Sequence, residues 1–378
     1  METNRLARVL GCAIGCGAVL AAASPALAAN TKTKWISVRS NGAEANDGSF
    51  MSSTSANGRL VAFDSDASNL VGGDANDARD VFVRDLRAGK IRRVSVRSNG
   101  AEGNAASRDP SISASGRFVA FRSAASNLVG GDANGATDVF VHDRKTKRTR
   151  RVSVRANGAE GNAESVIPSI SGNGRFVAFH SSASNLVDGD TNGARDVFVH
   201  DRRTGKTRRV SVRSNGTEGN DDSRGPSISA DGRFVAFHSA ASNLIGGDAN
   251  GVSDVFVRNR RTGKTRRVSV HSNGTEGDGG SFEPAISADG RLVAFDSTAS
   301  NLIGGDANGA RDIFVHNRRA GKTRRVSVRS NGAEADSGSF AASISADGRF
   351  IAFGSFASNL VGGDANGSDD VFRRGPLR

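Results

Sequence analysis

Short apolar runs separated by turn sequences recur along this chain and predict β-strands. Residues 233–237 (RFVAF) carry apolar side chains on both faces, which is typical of a strand covered on both sides. Residues 265–270 (TRRVSV) alternate between polar and apolar side chains, which is typical of a strand with one face in solvent. Shorter strands are predicted at 226–229 and 254–257, and Gly-containing tight turns join these runs into four-stranded units.

The unit repeats six times. An [IV]-S-V tripeptide begins every 58 residues, at Ile36, Val94, Val152, Val210, Val268 and Val326. No insertion interrupts the repeats, so the length does not indicate two or three domains. Each sheet can bury its faces only against its neighbours, and six sheets packed around an axis form a β-propeller. An open solenoid is the alternative, although solenoids need distinct end caps.

The two ends of the chain complement each other. The repeats begin with a fourth-type strand at 35–38 and end with a third-type strand at 370–372. We therefore predict an all-β, six-bladed propeller of four-stranded antiparallel blades. The N-terminal strand is expected to complete the last blade and close the ring.

The run at 226–237 (PSISADGRFVAF), followed by 254–257 (DVFV), resembles the WD-like β-propeller repeat of the TolB-like family. The resemblance extends over all six units and implies the propeller fold, with little indication of function. Ile228 and Ala230 stand where that family usually has Trp and Pro. The additional N-terminal domain of TolB is not expected here, so a role in the Tol–Pal envelope system is not implied.

The N-terminal residues read as an export signal. Arg5 and Arg8 precede an apolar stretch of small residues at 9–23, and residues 26–28 (ALA) form an A-x-A cleavage pattern. We predict a signal peptide over 1–28 and a single propeller domain over 29–378. The protein is then exported, either secreted or periplasmic and associated with the cell envelope.

Both cysteines, Cys12 and Cys16, lie in this leader, so the mature chain contains none. That composition suits an exported protein stabilised by its core rather than by disulfides. A membrane anchor and lipid attachment at either cysteine are the alternatives, although the apolar stretch is short for a span.

The chain is basic, with 51 Lys and Arg against 39 Asp and Glu and a formal charge of +12. Basic residues concentrate in the turn between the third and fourth strands and in the fourth strand, as at 144–155, whereas acidic residues concentrate in the long loops. We expect an acidic loop face opposite a basic rim that contacts anionic wall polymers or lipid headgroups. A solvated strand edge that prevents pairing is the alternative. Nucleic acid is not an expected partner, because no aromatic residues lie between the basic residues for nucleobases to stack on. A monomer is expected.

A D-x-N-x-x-x-D motif recurs in the loop before each third strand. Hard oxygen ligands at alternate loop positions suit calcium, but the motif lacks a third ligand and a closing bidentate Glu. The alternative is that these side chains bond the loop backbone. The motif residues are Asp74, Asn76, Asp80, Asp132, Asn134, Asp138, Asp190, Asn192, Asp196, Asp248, Asn250, Asp254, Asp306, Asn308, Asp312, Asp364, Asn366 and Asp370. Loop solvation or a second metal site is expected for Glu44, Glu102, Glu160, Glu218, Glu276 and Glu334.

Selective ligand binding requires positions at which the repeats differ. Two such slots fall just before the first strand and a third ends the second strand, at the loop-face mouth of the central channel. Phe and Arg are frequent anchors of binding surfaces, and neutral drift is the alternative. The slots read Phe50, Arg108, Val166, Arg224, Phe282, Phe340; Met51, Asp109, Ile167, Gly225, Glu283, Ala341; and Asp64, Arg122, His180, His238, Asp296, Gly354.

Catalysis finds little support, because no nucleophile-elbow motif accompanies the His residues 142, 180, 200, 238, 271 and 316. We expect a non-enzymatic propeller that binds a protein or cell-envelope glycan at the channel mouth. The first alternative is a calcium-stabilised structural or adhesive propeller. The second is a lyase or hydrolase that uses His and Arg residues of the channel.

Overall fold

The computed structural model describes residues 34–364 and 367–377, so the signal peptide predicted for 1–28 lies outside the described residues. Twenty-three strands form six antiparallel sheets, five of four strands and one of three. The sheets follow one another around a ring as the blades of a propeller, which confirms the predicted fold class. None of the described residues forms a helix that could cross a membrane.

The strands occur in chain order within every blade. The innermost, first strands are β1 (Ser49–Thr54), β5 (Ser107–Ile112), β9 (Ser165–Ile170), β13 (Ser223–Ile228), β17 (Ser281–Ile286) and β21 (Ser339–Ile344). The second strands are β2 (Leu60–Ser65), β6 (Phe118–Ser123), β10 (Phe176–Ser181), β14 (Phe234–Ser239), β18 (Leu292–Ser297) and β22 (Ile351–Ser355). The third strands are β3 (Asp80–Asp85), β7 (Asp138–Asp143), β11 (Asp196–Asp201), β15 (Asp254–Asn259), β19 (Asp312–Asn317) and β23 (Asp370–Arg374). The fourth strands are β4 (Lys90–Arg93), β8 (Arg148–Arg151), β12 (Lys206–Arg209), β16 (Lys264–Arg267) and β20 (Lys322–Arg325).

The second and third strands form the buried centre of each blade. Phe237 and Phe256 of the fourth blade are partners across the β14–β15 ladder, and their rings stack with centroids 6.0 Å apart. Phe237 also belongs to a core cluster that contains Val197 and Val199 of the third blade. Burying one such side chain stabilises the folded state by about 1.5–3 kcal/mol. Much of that burial therefore depends on the neighbouring blade.

The junctions between consecutive blades repeat the same contacts. At the junction of the third and fourth blades, the Ile228 N–H donates to Ser169 Oγ at 3.1 Å. The ring of Phe176 covers Gly232 in the turn that precedes β14. Gly232 has a φ of +72°, and a Cβ there would lie 2.1 Å from Phe176 Cδ2. This turn therefore requires glycine for both its conformation and its contact.

The outer strand is shorter than the run predicted at 265–270, because β16 ends at Arg267. Ser269 Oγ accepts the Val255 N–H at 3.0 Å and donates to Asp254 Oδ1 at 2.5 Å. The serine hydroxyl thus replaces a backbone partner, and the chain leaves the sheet there. The first strand is longer than predicted, because β13 starts at Ser223 rather than at residue 226.

The sixth blade has three strands among the described residues. By repeat spacing its fourth strand would fall at 32–35, and only 34 and 35 are described. The stretch predicted to close the ring, 35–38, carries one bridge, Val38 to Glu44, and no described ladder joins it to β23. Val371 in β23 is 83% exposed, whereas Val255 at the same position of the fourth blade is fully buried under the next blade. We call this edge of the sixth blade the seam.

Candidate functional site

Each first strand contains a β-bulge near its loop-face end. In β5 the register shifts between Arg108 and Ser111, and Asp109 lies in the left-handed region. The bulged residues have positive φ in all six blades: Met51 23°, Asp109 54°, Ile167 53°, Gly225 59°, Glu283 48° and Ala341 55°. This conformation is costly for non-glycine residues, above all for a β-branched one. Bulges re-aim neighbouring side chains, and the first two variable slots therefore lie within the strand, not before it as predicted.

The first and third variable slots face each other across the ladder of the first and second strands. The partners are Phe50 and Asp64, Arg108 and Arg122, Val166 and His180, Arg224 and His238, Phe282 and Asp296, and Phe340 and Gly354. The first strands of consecutive blades also contact one another. The sequence-predicted residues are thus brought together on the first and second strands of the blades. We call this set the mouth ring.

In the first blade, an arginine from the loop before β3 organises the mouth ring. Arg79 binds Asp66 at 2.5 Å and Asp64 at 3.3 Å, and its guanidinium lies 3.9 Å from the centroid of the Phe50 ring. Burial, together with the nearby charge of Asp109, raises the pKa of Asp64 to about 7. Asp109 in turn pairs with Arg122 at 2.5 Å within the second blade.

The third and fourth blades contribute two buried imidazoles. Burial lowers the pKa of His180 to about 3, and the nearby His238 acts in the same direction. Burial and Arg224 lower the pKa of His238 to about 4. Both rings are therefore neutral at pH 7. Gly225 is needed beside them, since a Cβ at that position would lie 2.9 Å from His238 Nδ1.

The fifth blade presents an aromatic and acidic part of the mouth ring. Phe282 meets His238 edge-on with ring centroids 5.7 Å apart. Arg311 binds Asp296 at 2.9 Å. Burial raises the pKa of Asp296 to about 6, and the charge of Glu283 contributes to the increase.

Seven buried polar atoms of the mouth ring have no hydrogen-bond partner among the described residues. Asp109 Oδ2 and Arg122 Nε form an ion pair with each other at 2.5 Å, and Arg224 Nε is the third. The remaining four are Asp64 Oδ1, His180 Nδ1, His238 Nδ1 and Asp296 Oδ1. All four belong to the same position of the repeat. Buried polar atoms are nearly always paired, by protein or by water. Four unpaired atoms at one position therefore mark the mouth ring as a candidate binding site.

Sequence reasoning missed the arginines that hold these acids. Arg79, Arg195 and Arg311 all occupy the position just before the third strand; Arg195 binds Glu164 at 2.8 Å. That position differs among the repeats, reading Arg, Thr, Arg, Ser, Arg and Asp. The variation at this position is visible in the sequence. Its connection with the acids depends on how the loop folds back over the second strand, which the sequence does not show.

The D-x-N-x-x-x-D residues lie away from the mouth ring, around an outer-strand arginine. In the second blade, Arg151 Nη1 lies 2.9 Å from Asp138, 2.6 Å from Glu160 and 3.5 Å from Asp132. Arg93, Arg209, Arg267 and Arg325 occupy the same position in the other four-stranded blades. These acids are therefore partly neutralised and hidden, so the loop face is less acidic than expected.

The asparagine of the motif holds the loop backbone. Asn134 Nδ2 donates to Gly161 O at 2.7 Å, and its Oδ1 accepts the Ala136 N–H at 2.7 Å. Glu160 accepts the Ala133 N–H at 3.2 Å as well as binding Arg151. These glutamates therefore link one repeat's loop to the next repeat. Asn366 lies outside the described residues.

The acids form four groups that could hold a metal ion, each made of two Asp and one Glu whose oxygens lie within 4.8 Å of one another. The groups are Asp132, Asp138 and Glu160; Asp190, Asp196 and Glu218; Asp248, Asp254 and Glu276; and Asp306, Asp312 and Glu334. Carboxylate oxygens suit calcium. However, the guanidinium lies among the same oxygens, so a cation could enter only by displacing it. In the sixth repeat, by spacing, Trp35 stands where the other repeats have this arginine.

We expect chelation to leave the protein's thermal stability unchanged, because arginine already compensates these acids. Removing divalent ions with EDTA should move the melting temperature by less than about 1 °C, since only a ligand bound to the native state raises it. Differential scanning calorimetry with EDTA and with added calcium tests this expectation. An increase that scales with calcium concentration would contradict it.

No protein-family model matches this chain, and no curated protein matches it in sequence. Comparison with solved structures does find similar folds. An oligogalacturonate lyase in complex with manganese is 14% identical, with a TM-score of 0.52, over 88% of this chain and 78% of the lyase. TolB of Agrobacterium tumefaciens is 14% identical, with a TM-score of 0.48, over 87% of this chain and 90% of that one.

In fold, the chain is a six-bladed β-propeller. A second TolB, from Acinetobacter baumannii, is 14% identical with a TM-score of 0.43, and 75% of this chain spans 58% of that one. Acylaminoacyl and prolyl peptidases share the propeller too, and this chain spans 43–44% of their length. Identities this low concern the fold alone. Structures that share the propeller fold thus include enzymes of different chemistry, a lyase and peptidases.

Proposed function

We propose that this propeller is an exported, non-enzymatic protein that binds a cell-envelope glycan through the mouth ring, with a protein partner as the alternative. The supporting observation is the set of four buried carboxylate and imidazole atoms without partners at the ends of the second strands. A ligand that bonds to them would remove a desolvation cost of about 1–3 kcal/mol per group. The proposed export, secreted or periplasmic, rests on the N-terminal sequence.

The chemistry of the mouth ring favours a glycan. Carboxylates such as Asp296 accept hydrogen bonds from sugar hydroxyls, and neutral imidazoles such as His238 can donate or accept. Phe282 adds an apolar ring beside these polar groups, a combination usual in ligand sites. Arg108 is exposed and has no ion-pair partner among the described residues, so it is available to an anionic substituent.

Binding without catalysis is the simpler proposal. The catalytic alternative, a lyase or hydrolase, would depend on His180 and His238. Both imidazoles are neutral and buried, which suits a general base, but neither Nδ1 has the orienting partner usual in catalytic pairs. If such an activity is detected, it should disappear in the His180→Ala and His238→Ala variants, and its persistence there would exclude the channel as its site.

The proposed function can be tested by capture from an envelope fraction. The immobilised protein is compared with a variant that carries Arg108→Ala, Arg224→Ala and Phe282→Ala, which we expect to retain about one tenth of the captured material or less, since central anchors typically contribute 2 kcal/mol or more. Periodate treatment of the fraction should abolish capture by destroying sugar diols, whereas protease treatment should not.

The matched control carries Arg208→Ala, Arg266→Ala and Arg324→Ala, which remove three positive charges from the outer strands. Capture by this control should equal that of the wild type. Equal capture by the mouth-ring variant would overturn the proposal. Loss of capture after protease but not after periodate would replace the glycan by a protein partner.

A further inference from the structure

A second concave site lies on the outer rim, far along the blade from the mouth ring. A groove of about 390 Å³ separates the fourth strand of the first blade from the β7–β8 turn of the second. Six basic side chains line it: Lys90, Arg92, Arg93, Arg97, Arg144 and Lys147. Arg93 is paired with acids of its own cluster, so the other five carry the charge of the groove. We call it the rim groove.

The positive charge of the rim groove is not compensated. Asp85 is the one carboxylate among the described residues that line the groove, and Arg59 already binds it through contacts of 3.0 and 2.7 Å. Within 34–364 and 367–377, none of the five basic side chains forms an ion pair. His142 also lines the groove, and burial lowers its pKa to about 4, so it is neutral at pH 7.

The half-buried guanidinium of Arg144, in the rim groove, lacks a stacking partner that the equivalent arginines have. Arg202, Arg260 and Arg318 stack on phenylalanine rings of the preceding blades, at 4.0, 4.2 and 4.2 Å. Leu60 replaces that ring beside Arg144, which keeps one bond, from Nη1 to Gly116 O at 2.6 Å. A stacked guanidinium is stabilised by about 0.5–2 kcal/mol, so Arg144 remains more open to an anion.

The turn at the rim is strained in this blade. Lys147 has a φ of +58°, where the equivalent turns have Gly89, Gly205, Gly263 and Gly321. The left-handed conformation costs a non-glycine residue about 1–2 kcal/mol. The second blade thus adopts a costly conformation that adds a cation to the groove. The sequence shows the same exception, with KTK at 145–147 in place of an RTG-type turn.

We propose that the rim groove binds a compact polyanion that carries several phosphate groups. This inference is independent of the glycan proposed for the mouth ring. Five basic side chains around about 390 Å³ require several negative charges in a small volume. Linked phosphates supply that density, whereas a uronic acid carries one charge per sugar. Arginine also binds phosphate through two parallel hydrogen bonds.

Inorganic tripolyphosphate is the probe, measured by isothermal titration calorimetry with the full chain. The Arg92→Ala, Arg97→Ala double variant should bind it at least tenfold more weakly than the wild type, because two charge-assisted contacts are lost. Lys147→Gly should weaken binding about threefold without lowering the melting temperature. The matched control is Arg208→Ala, Arg213→Ala, which removes the equivalent arginines two junctions further along.

Each outcome bears on the proposal. Unchanged binding by the control, together with loss in the rim-groove variants, supports it. Equal loss in the control means that tripolyphosphate senses net charge only, and overturns it. Binding of trigalacturonate with equal affinity would replace phosphate by carboxylate as the recognised group. Binding of phosphatidylglycerol vesicles without binding of tripolyphosphate would mean a membrane surface instead.

Discussion

The Arg209→Ala variant is expected to lose about 3–5 kcal/mol of the free energy of unfolding at pH 8, which is the range for removing one partner of a buried ion pair. Arg209 contacts Asp196 at 2.7 Å and Asp190 at 3.5 Å, and both acids are largely buried. Without the guanidinium, the carboxylates of the two aspartates and Glu218 would repel one another at a site that water does not screen. Chemical unfolding measures the loss.

The loss should shrink as the pH falls. Burial and the charge of Asp196 raise the pKa of Asp190 to about 6, and removal of Arg209 should raise it further. An acid whose pKa is higher in the folded state destabilises that state above the folded pKa and ceases to do so towards the unfolded pKa, near 4. The difference in the free energy of unfolding between wild type and variant should therefore narrow from pH 8 to pH 5.

The control is Arg208→Ala, on the exposed face of the same strand, which should change stability by less than about 0.5 kcal/mol. A similar small effect of Arg209→Ala would show that the cluster does not stabilise the blade.

Gly232→Ala is expected to cost about 3 kcal/mol or more, the sum of a left-handed backbone and an overpacked contact. The new Cβ would lie 2.1 Å from Phe176 Cδ2, so the ring that joins the third and fourth blades must move. The midpoint of urea unfolding, with an unchanged slope, measures this cost.

Gly58→Ala is the matched control in the same turn of the first blade. Gly58 has a φ of +66° and nothing within 4 Å of an added Cβ, because it faces the seam. The substitution should therefore cost about 1–2 kcal/mol for backbone conformation alone. If both variants lose the same amount, a phenylalanine covers Gly58 as well, and the sixth blade packs on the first like every other pair.

The repeat made the fold predictable. The two-faced apolar run at 233–237 identified the central strand, and its repetition implied blades that cover each other. The length of the outer strand was not predictable, because Ser269 leaves the ladder through a side-chain bond to Asp254 that alternation does not encode. The N-terminal closing strand stays a prediction.

The candidate site was predictable in position but not in chemistry. Comparing repeats found Asp64 and His238, since a binding surface must differ between otherwise identical blades. The bulge at residues such as Ile167 was not visible, because only Gly225 among the six carries the usual signature of positive φ. The calcium interpretation did not include Arg151, because the motif does not show that an arginine 13 residues after Asp138 and 9 before Glu160 lies among their oxygens.

Over residues 34–364 and 367–377, the seam leaves the first and sixth blades with one packed neighbour each. In a repeat array, each unit is stabilised by itself and by its nearest neighbours, so units with one neighbour fray first. The first and sixth blades should therefore exchange their amide protons earlier than the third and fourth. Unfolding would then start at the seam, where Val371 is exposed, and proceed from blade to blade around the propeller.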